Sequence, residues 1–149
     1  MLNSDKYNME VVYFYDENIK QCPVKEYFKK YLITKTDKEN INKRKQKILA
    51  DIDSKIDYIK ENNGKPCPPI SKPLHGYSCF EILNPKDEKN VIRILYFRYQ
   101  NKMVLLHAFE KLAICHTNKD KKEVNKQNKI AEKNLNIFKI KPENYEKYK

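Results

Sequence analysis

The chain has two glycines in 149 residues and no tryptophan, which excludes collagen-like and glycine-linker architectures. No run of about 18 apolar residues occurs, so no transmembrane helix is expected. The opening MLNSDKYNMEVVYFYDE has a short apolar stretch that soon turns acidic, unlike a secretory signal, and a cytoplasmic protein is expected. Cys22, Cys67, Cys79 and Cys115 are scattered without CxxC or CxxH spacing, and His75, His107 and His116 stand apart. Metal-ligand spacing is therefore missing, and neither a zinc site nor another cofactor is expected. Without an export signal, free thiols in a reducing compartment are the default. Arginine is scarce too: Arg44, Arg93 and Arg98 are three of 31 basic residues.

What is present suits one folded domain. The length predicts a single domain, and a chain of this size needs neither disulfides nor a metal to hold a core. Lys plus Arg number 31 against 20 Asp plus Glu, giving a net charge of +11. Such a balance attracts polyanions, chiefly nucleic acid or an anionic membrane surface. A coding bias toward A and T, which the many Lys, Asn, Ile and Tyr also fit, produces the same balance. The few arginines sharpen the picture, because a guanidinium is a planar, permanently charged fork that lysine does not copy. Arg93 and Arg98 both fall in the apolar segment VIRILYFRY, where charge must be paired or lie on an exposed face.

Periodicity predicts the elements. Met9 to Tyr15 reads as a strand. Pro23 opens an amphipathic helix with Val24, Tyr27, Phe28, Tyr31 and Leu32 in phase, and Ile41, Ile48, Ile52, Ile56 and Ile59 mark a second. Gly64 is a natural left-handed cap for the second helix. KPCPPISKPLHG reads as a stiff extended loop. Three strands follow, Cys79–Leu83, Val91–Tyr99 and Lys102–Glu110, with a turn at Gln100-Asn101. Thr117 to Asp120 has the capping-box form and opens a third helix to about Leu135. The basic, aromatic segment from Asn136 reads as a C-terminal extension that docks in part. The expected class is α+β, with two N-terminal helices on one face of a mostly antiparallel four-stranded sheet plus a C-terminal helix. The second sheet face is expected to stay partly open.

Three segments then carry a likeness. KPLHGYSCFEI, VIRILYF and MVLLHAFEK, in that order after two helices, resemble the RelE/HigB-type toxins of bacterial toxin–antitoxin systems. The pattern is similar to the phage-associated HigB branch, with its "pLxGglyElR", "yRvlyf" and "ivlLhgFxKK" strands, and spans about Pro23 to Leu135. The resemblance implies a compact RelE-like α+β domain over residues 1–149. It also implies an endoribonuclease that cuts mRNA on the ribosome and is blocked by a cognate antitoxin, with a helix-turn-helix protein encoded alongside as the expected partner. Two basic residues of the pattern are replaced here, by Leu83 and Leu112. The alternative is a non-catalytic protein of the same fold that binds an antitoxin or RNA.

Metal-free RNA cleavage uses the 2′-OH against the adjacent phosphate. It needs a base, positive charge for the phosphorane and an acid for the leaving 5′-oxygen. The expected catalytic set is Arg93, Lys111, His75, Lys72 and Glu81. Arg93 matches the Arg of "yRv", and its fork grips two phosphate oxygens. Lys111 matches the retained Lys of "FxKK". Lys72 and His75 lie in the loop entering the sheet, and an imidazole titrates where acid–base work is done. Pairing Leu83 with Val91 puts Glu81 opposite Arg93, as orienting partner or simple ion pair. Tyr77, His116 and Arg98 are the expected RNA contacts, Tyr77 by stacking on a base. His107 alternates with Met103, Leu105 and Phe109, which predicts a core histidine on the helix-covered side.

Overall fold

The computed structural model describes residues 9–115 and 117–149; His116 lies outside the described residues. In chain order the elements are β1 (Glu10–Phe14), α1 (Pro23–Phe28) with a 3-10 turn at Lys29–Tyr31, α2 (Glu39–Glu61), β2 (Ser71–Pro73), β3 (Phe80–Pro85), β4 (Asn90–Tyr99), β5 (Lys102–Leu112), α3 (Asn118–Ile140) and β6 (Tyr145–Lys147). They form one sheet in the order β2-β3-β4-β5-β1-β6. β1 runs parallel to β5, and the other neighbours are antiparallel.

The local rules explain most boundaries. Pro23 takes the first turn of α1, where its missing N–H costs nothing. Val24, Tyr27, Phe28 and Tyr31 are buried, but the helix tightens after Phe28 and leaves Leu32 54% exposed. In α2 the buried residues are Ile48, Ile52, Ile56 and Ile59, one stripe at helical spacing. Just past the end of α2, Gly64 with its φ of +72° closes the turn that its N–H makes to the Ile59 carbonyl. Thr117 caps α3 through a capping box with Asp120.

The four-stranded, mostly antiparallel sheet with two N-terminal helices is overturned: among the described residues there are six strands, one parallel pair and three α-helices. The parallel pair arises because β1 is followed by both helices before the chain returns to the sheet, and β1 then lies against the last long strand. The two further strands are three-residue pieces, β2 from the proline-rich loop and β6 after α3. α3 itself continues past Leu135 to Ile140, so the boundary set at Asn136 falls inside a helix whose Phe138 is completely buried.

Each sheet face carries its own core. Val11, Tyr13, Ile82, Ile92, Ile94, Tyr96, Met103 and Leu105 pack with α1 and α2. Val12, Phe14, Leu95, Phe97, Val104, Leu106 and Phe109 pack with Ala131, Leu135 and Phe138 of α3. The face expected to stay open is thus covered by α3.

Two register details set the candidate site. The β3–β4 turn is tighter than expected, because the Asp87 carboxylate accepts from the N–H groups of Lys89 and Asn90. Leu83 therefore pairs with Arg93, and Glu81 pairs with Leu95. Glu81 reaches Arg93 on the diagonal rather than directly across the strand pair. The second detail is a bulge between β4 and β5. Tyr96 pairs with Leu105 but Leu95 pairs with His107, which leaves Leu106 as the extra residue. The bulge shifts the alternation, so His107 and Phe109 face α3 while Met103 and Leu105 face α1 and α2. This corrects the grouping of His107 with Met103 and Leu105.

Candidate functional site

α3 lies over a layer of polar side chains within an otherwise apolar face. Glu81 and Arg93 are 2% and 8% exposed, and Arg93 Nη2 lies 3.1 Å from Glu81 Oε2. Arg93 Nη1 donates to Asn128 Oδ1 of α3 at 3.1 Å. The guanidinium carbon sits 5.7 Å from the centre of the Phe109 ring, a cation–π distance. Lys72 Nζ is 3.8 Å from Glu81 Oε1, on the exposed side. Lys72, Glu81 and Arg93 thus form a chain of charge from the edge of the sheet to beneath α3. Pairing is what makes burial of the guanidinium tolerable, since an isolated buried charge costs several kcal/mol.

His107 continues the layer. Its ring stacks on Phe109 at 5.7 Å, and its Nε2 lies 2.6 Å from Gln127 Oε1. Nε2 accordingly donates and Nδ1 carries the lone pair. The Gln127 amide in turn donates to Glu123 at 3.0 Å. Burial lowers the His107 pKa below the usual imidazole range, against the opposing pull of Gln127. The imidazole is therefore neutral near pH 7. Asn134, also buried, donates to the carbonyl of Leu106 at 3.0 Å and satisfies the backbone group freed by the bulge.

The other expected residues sit at the margin of this layer. His75 is exposed at the tip of the turn between β2 and β3, where Tyr77 N–H bonds the Leu74 carbonyl. Tyr77 is half-buried against the α3-side core. The adjacent Ser78 N–H donates to Glu132 of α3 at 2.9 Å, which pins this turn to the helix. Lys111 is half-buried and lines a cavity of about 240 Å³ with Phe109, Asp120, Glu123 and Gln127. Arg98 alternates to the opposite face, where its Nε donates to the Gln100 carbonyl. It is separated from Arg93 by the sheet. His116 lies outside the described residues.

The two buried cysteines, Cys22 and Cys79, offer no ready nucleophile. Burial pushes the Cys79 thiol up to about 12 and the Cys22 thiol likewise up to about 12. Among the described residues no three His, Cys, Asp or Glu side chains come together as a metal site. A separate groove of about 460 Å³, walled by Phe28, Leu32, Leu49 and Tyr148, lies on the other side of the sheet.

Sequence reasoning missed Asn128, Gln127 and Asn134. A signal for the first was present: Asn128, Ala131, Leu135 and Phe138 recur at helical spacing, so an amide shares the apolar stripe. A buried amide in such a stripe must meet a polar partner from the facing element.

No family model, curated protein or solved structure matches the chain.

Proposed function

We propose that the protein acts on RNA as the toxin of a RelE/HigB-type toxin–antitoxin pair, an endoribonuclease that cuts mRNA in the cytoplasm. The observation that carries this reading is the Lys72–Glu81–Arg93 chain, which joins residues of two of the three motif segments in one ionic cluster. In the reaction the 2′-oxygen attacks the adjacent phosphorus, its proton passes to a base, and the 5′-oxygen leaves with a proton from an acid. The products are a 2′,3′-cyclic phosphate and a 5′-hydroxyl end. Lys72 and Arg93 supply charge to the phosphorane, Glu81 orients Arg93, and His75 at the exposed turn exchanges protons. Lys111 adds charge from the end of β5. The partners are the ribosome-bound message and an antitoxin encoded beside the toxin.

A second reading has its own support. Both terminal nitrogens of Arg93 are committed, to Glu81 and Asn128, and the side chain is nearly all buried. A non-catalytic protein that binds RNA or an antitoxin needs no free guanidinium, and Leu83 and Leu112 replace basic residues of the motif. Induction of the protein followed by mapping of mRNA 5′ ends separates the two. New 5′-hydroxyl ends and growth arrest, both relieved by the neighbouring gene, are expected from the toxin. Normal growth with abundant folded protein and no new ends overturns it.

A further inference from the structure

α2 and α3 are each 23 residues long, yet they carry charge differently. α2 has six cations and five carboxylates, and three of its five lysines find acids: Lys43 with Glu39 at 3.4 Å, Lys47 with Asp51 at 3.0 Å, and Lys45 with Asp37. α3 has seven lysines and three carboxylates. All three carboxylates are engaged elsewhere. Asp120 closes the capping box with Thr117, Glu123 accepts from Gln127, and Glu132 accepts from Ser78 N–H.

Lys122, Lys126, Lys129 and Lys133 are exposed, and none forms an ion pair among the described residues. At 3.6 residues per turn they fall within an arc of about 60°, opposite the buried Ala131, Leu135 and Phe138, and span about 17 Å of helix axis. Their side chains, with Asn125 and Ile130, bound a shallow groove of about 550 Å³. Like charges at i,i+3 and i,i+4 repel, and no acid of the helix relieves them.

We infer that this lysine row is a track for the phosphate backbone of a single-stranded nucleic acid, bound without regard to sequence. The row presents successive point charges, which suit phosphates spaced along a strand. A membrane surface fits less well: an interfacial helix inserts its apolar face, and here that face is sealed into the core by Phe138 and Leu135. An acidic protein partner fits less well too, because the row lacks the aromatic and arginine anchors on which protein interfaces depend. The track is separate from the Arg93 layer, which lies beneath the opposite side of the same helix, so it stands whether or not the protein cuts RNA.

The test uses the full chain and a fluorescent 20-nucleotide 2′-O-methyl oligouridine, which has no free 2′-OH and is not cut by the proposed route. One variant carries Lys122→Gln, Lys126→Gln, Lys129→Gln and Lys133→Gln. A control of equal charge carries Lys20→Gln, Lys35→Gln, Lys65→Gln and Lys89→Gln, all at exposed positions. The row variant is expected to bind at least about tenfold more weakly, with the slope of log affinity against log salt reduced by about 3, since each lost phosphate contact removes about 0.7. The control is expected to keep most of both. Equal losses in the two variants reduce the row to general charge and overturn the track. So does undiminished oligonucleotide binding by the row variant, or its selective loss of binding to phosphatidylserine vesicles alone. Circular dichroism of both variants verifies that α3 is retained.

Discussion

The two faces of the sheet are built from the same strands but on different terms. Toward α1 and α2, β4 offers Ile92, Ile94 and Tyr96 to a stripe of isoleucines, and the Tyr96 hydroxyl bonds Ser71 at 3.0 Å. Toward α3, β4 offers Arg93, Leu95 and Phe97, and the helix answers with Asn128 as well as with Ala131, Leu135 and Phe138. An apolar face tolerates small shifts, because burial has no direction and one methyl group substitutes for another. The α3 face is held by directed bonds among buried charges and amides, each of which is costly to leave unmade. The difference teaches where function is to be sought. The α1–α2 face has the chemistry of a core. The α3 face spends stability on an ionic cluster that a core alone does not require.

Substitution tests that contrast, and the largest effect is expected at Glu81. Glu81→Ala leaves the buried Arg93 without its carboxylate and should cost about 3–5 kcal/mol, read as a drop in denaturation midpoint. The paired change Glu81→Leu with Arg93→Met should recover most of that loss, since apolar residues replace a buried ion pair at little cost. If the cluster serves RNA cleavage, the recovered double variant is folded and inactive. Cleavage by that variant would assign the pair to folding alone.

A middle effect is expected at the bulge. Asn134→Ala leaves the Leu106 carbonyl buried without its donor and should cost about 1–3 kcal/mol. Hydrogen exchange should then rise around Leu106 and His107 while the α1–α2 face keeps its protection. Uniform loosening of both faces would contradict the independence of the two cores.

The smallest effect is in the pH dependence. His107 is neutral in the folded protein with its pKa lowered by burial, whereas the unfolded chain titrates near 6.5. Between the lowered value and about 6.5 the unfolded state binds more protons, so stability should fall as pH drops below about 6.5. Melting temperatures from pH 7.5 to 5 should show this decline, and His107→Gln should flatten it. Ile52→Val, on the other face, should cost about 0.5–1.5 kcal/mol at every pH in that range. A decline of unchanged size in His107→Gln would place the sensitivity elsewhere.

The long elements were legible because their signals are local. Helix α2 follows from five isoleucines at helical spacing, although the first, Ile41, is 38% exposed and helps only to mark the phase. The β4–β5 hairpin follows from two apolar runs about a two-residue turn, with Gln100 at positive φ. What stayed hidden depends on contacts between distant segments. Strands of three residues, as in β2 and β6, are too short to show an alternation. The parallel pairing of β1 with β5 joins residues some ninety positions apart, as Val11 with Met103, and no local pattern encodes it. The bulge at Leu106 sits inside an unbroken apolar run, MVLL, where a change of phase leaves no mark in composition. Of the candidate site, the pairing of Glu81 with Arg93 was legible as an ionic match between neighbouring strands. The amides that complete it come from α3, whose packing partner was not legible.

The outermost strands also bear on how another chain can join this one. A sheet edge is a template for strand addition, because its free N–H and C=O groups can extend the ladder into a neighbour. Here each template is three residues long. β2 ends in Pro73, which has no N–H to offer, and is preceded by Pro68 and Pro69; β6 ends in Lys147 and is followed by Lys149, which is tied to Asp53 at 2.8 Å. Proline and lysine at such margins discourage edge-to-edge growth. A strand from another chain therefore has little backbone to pair with at either edge.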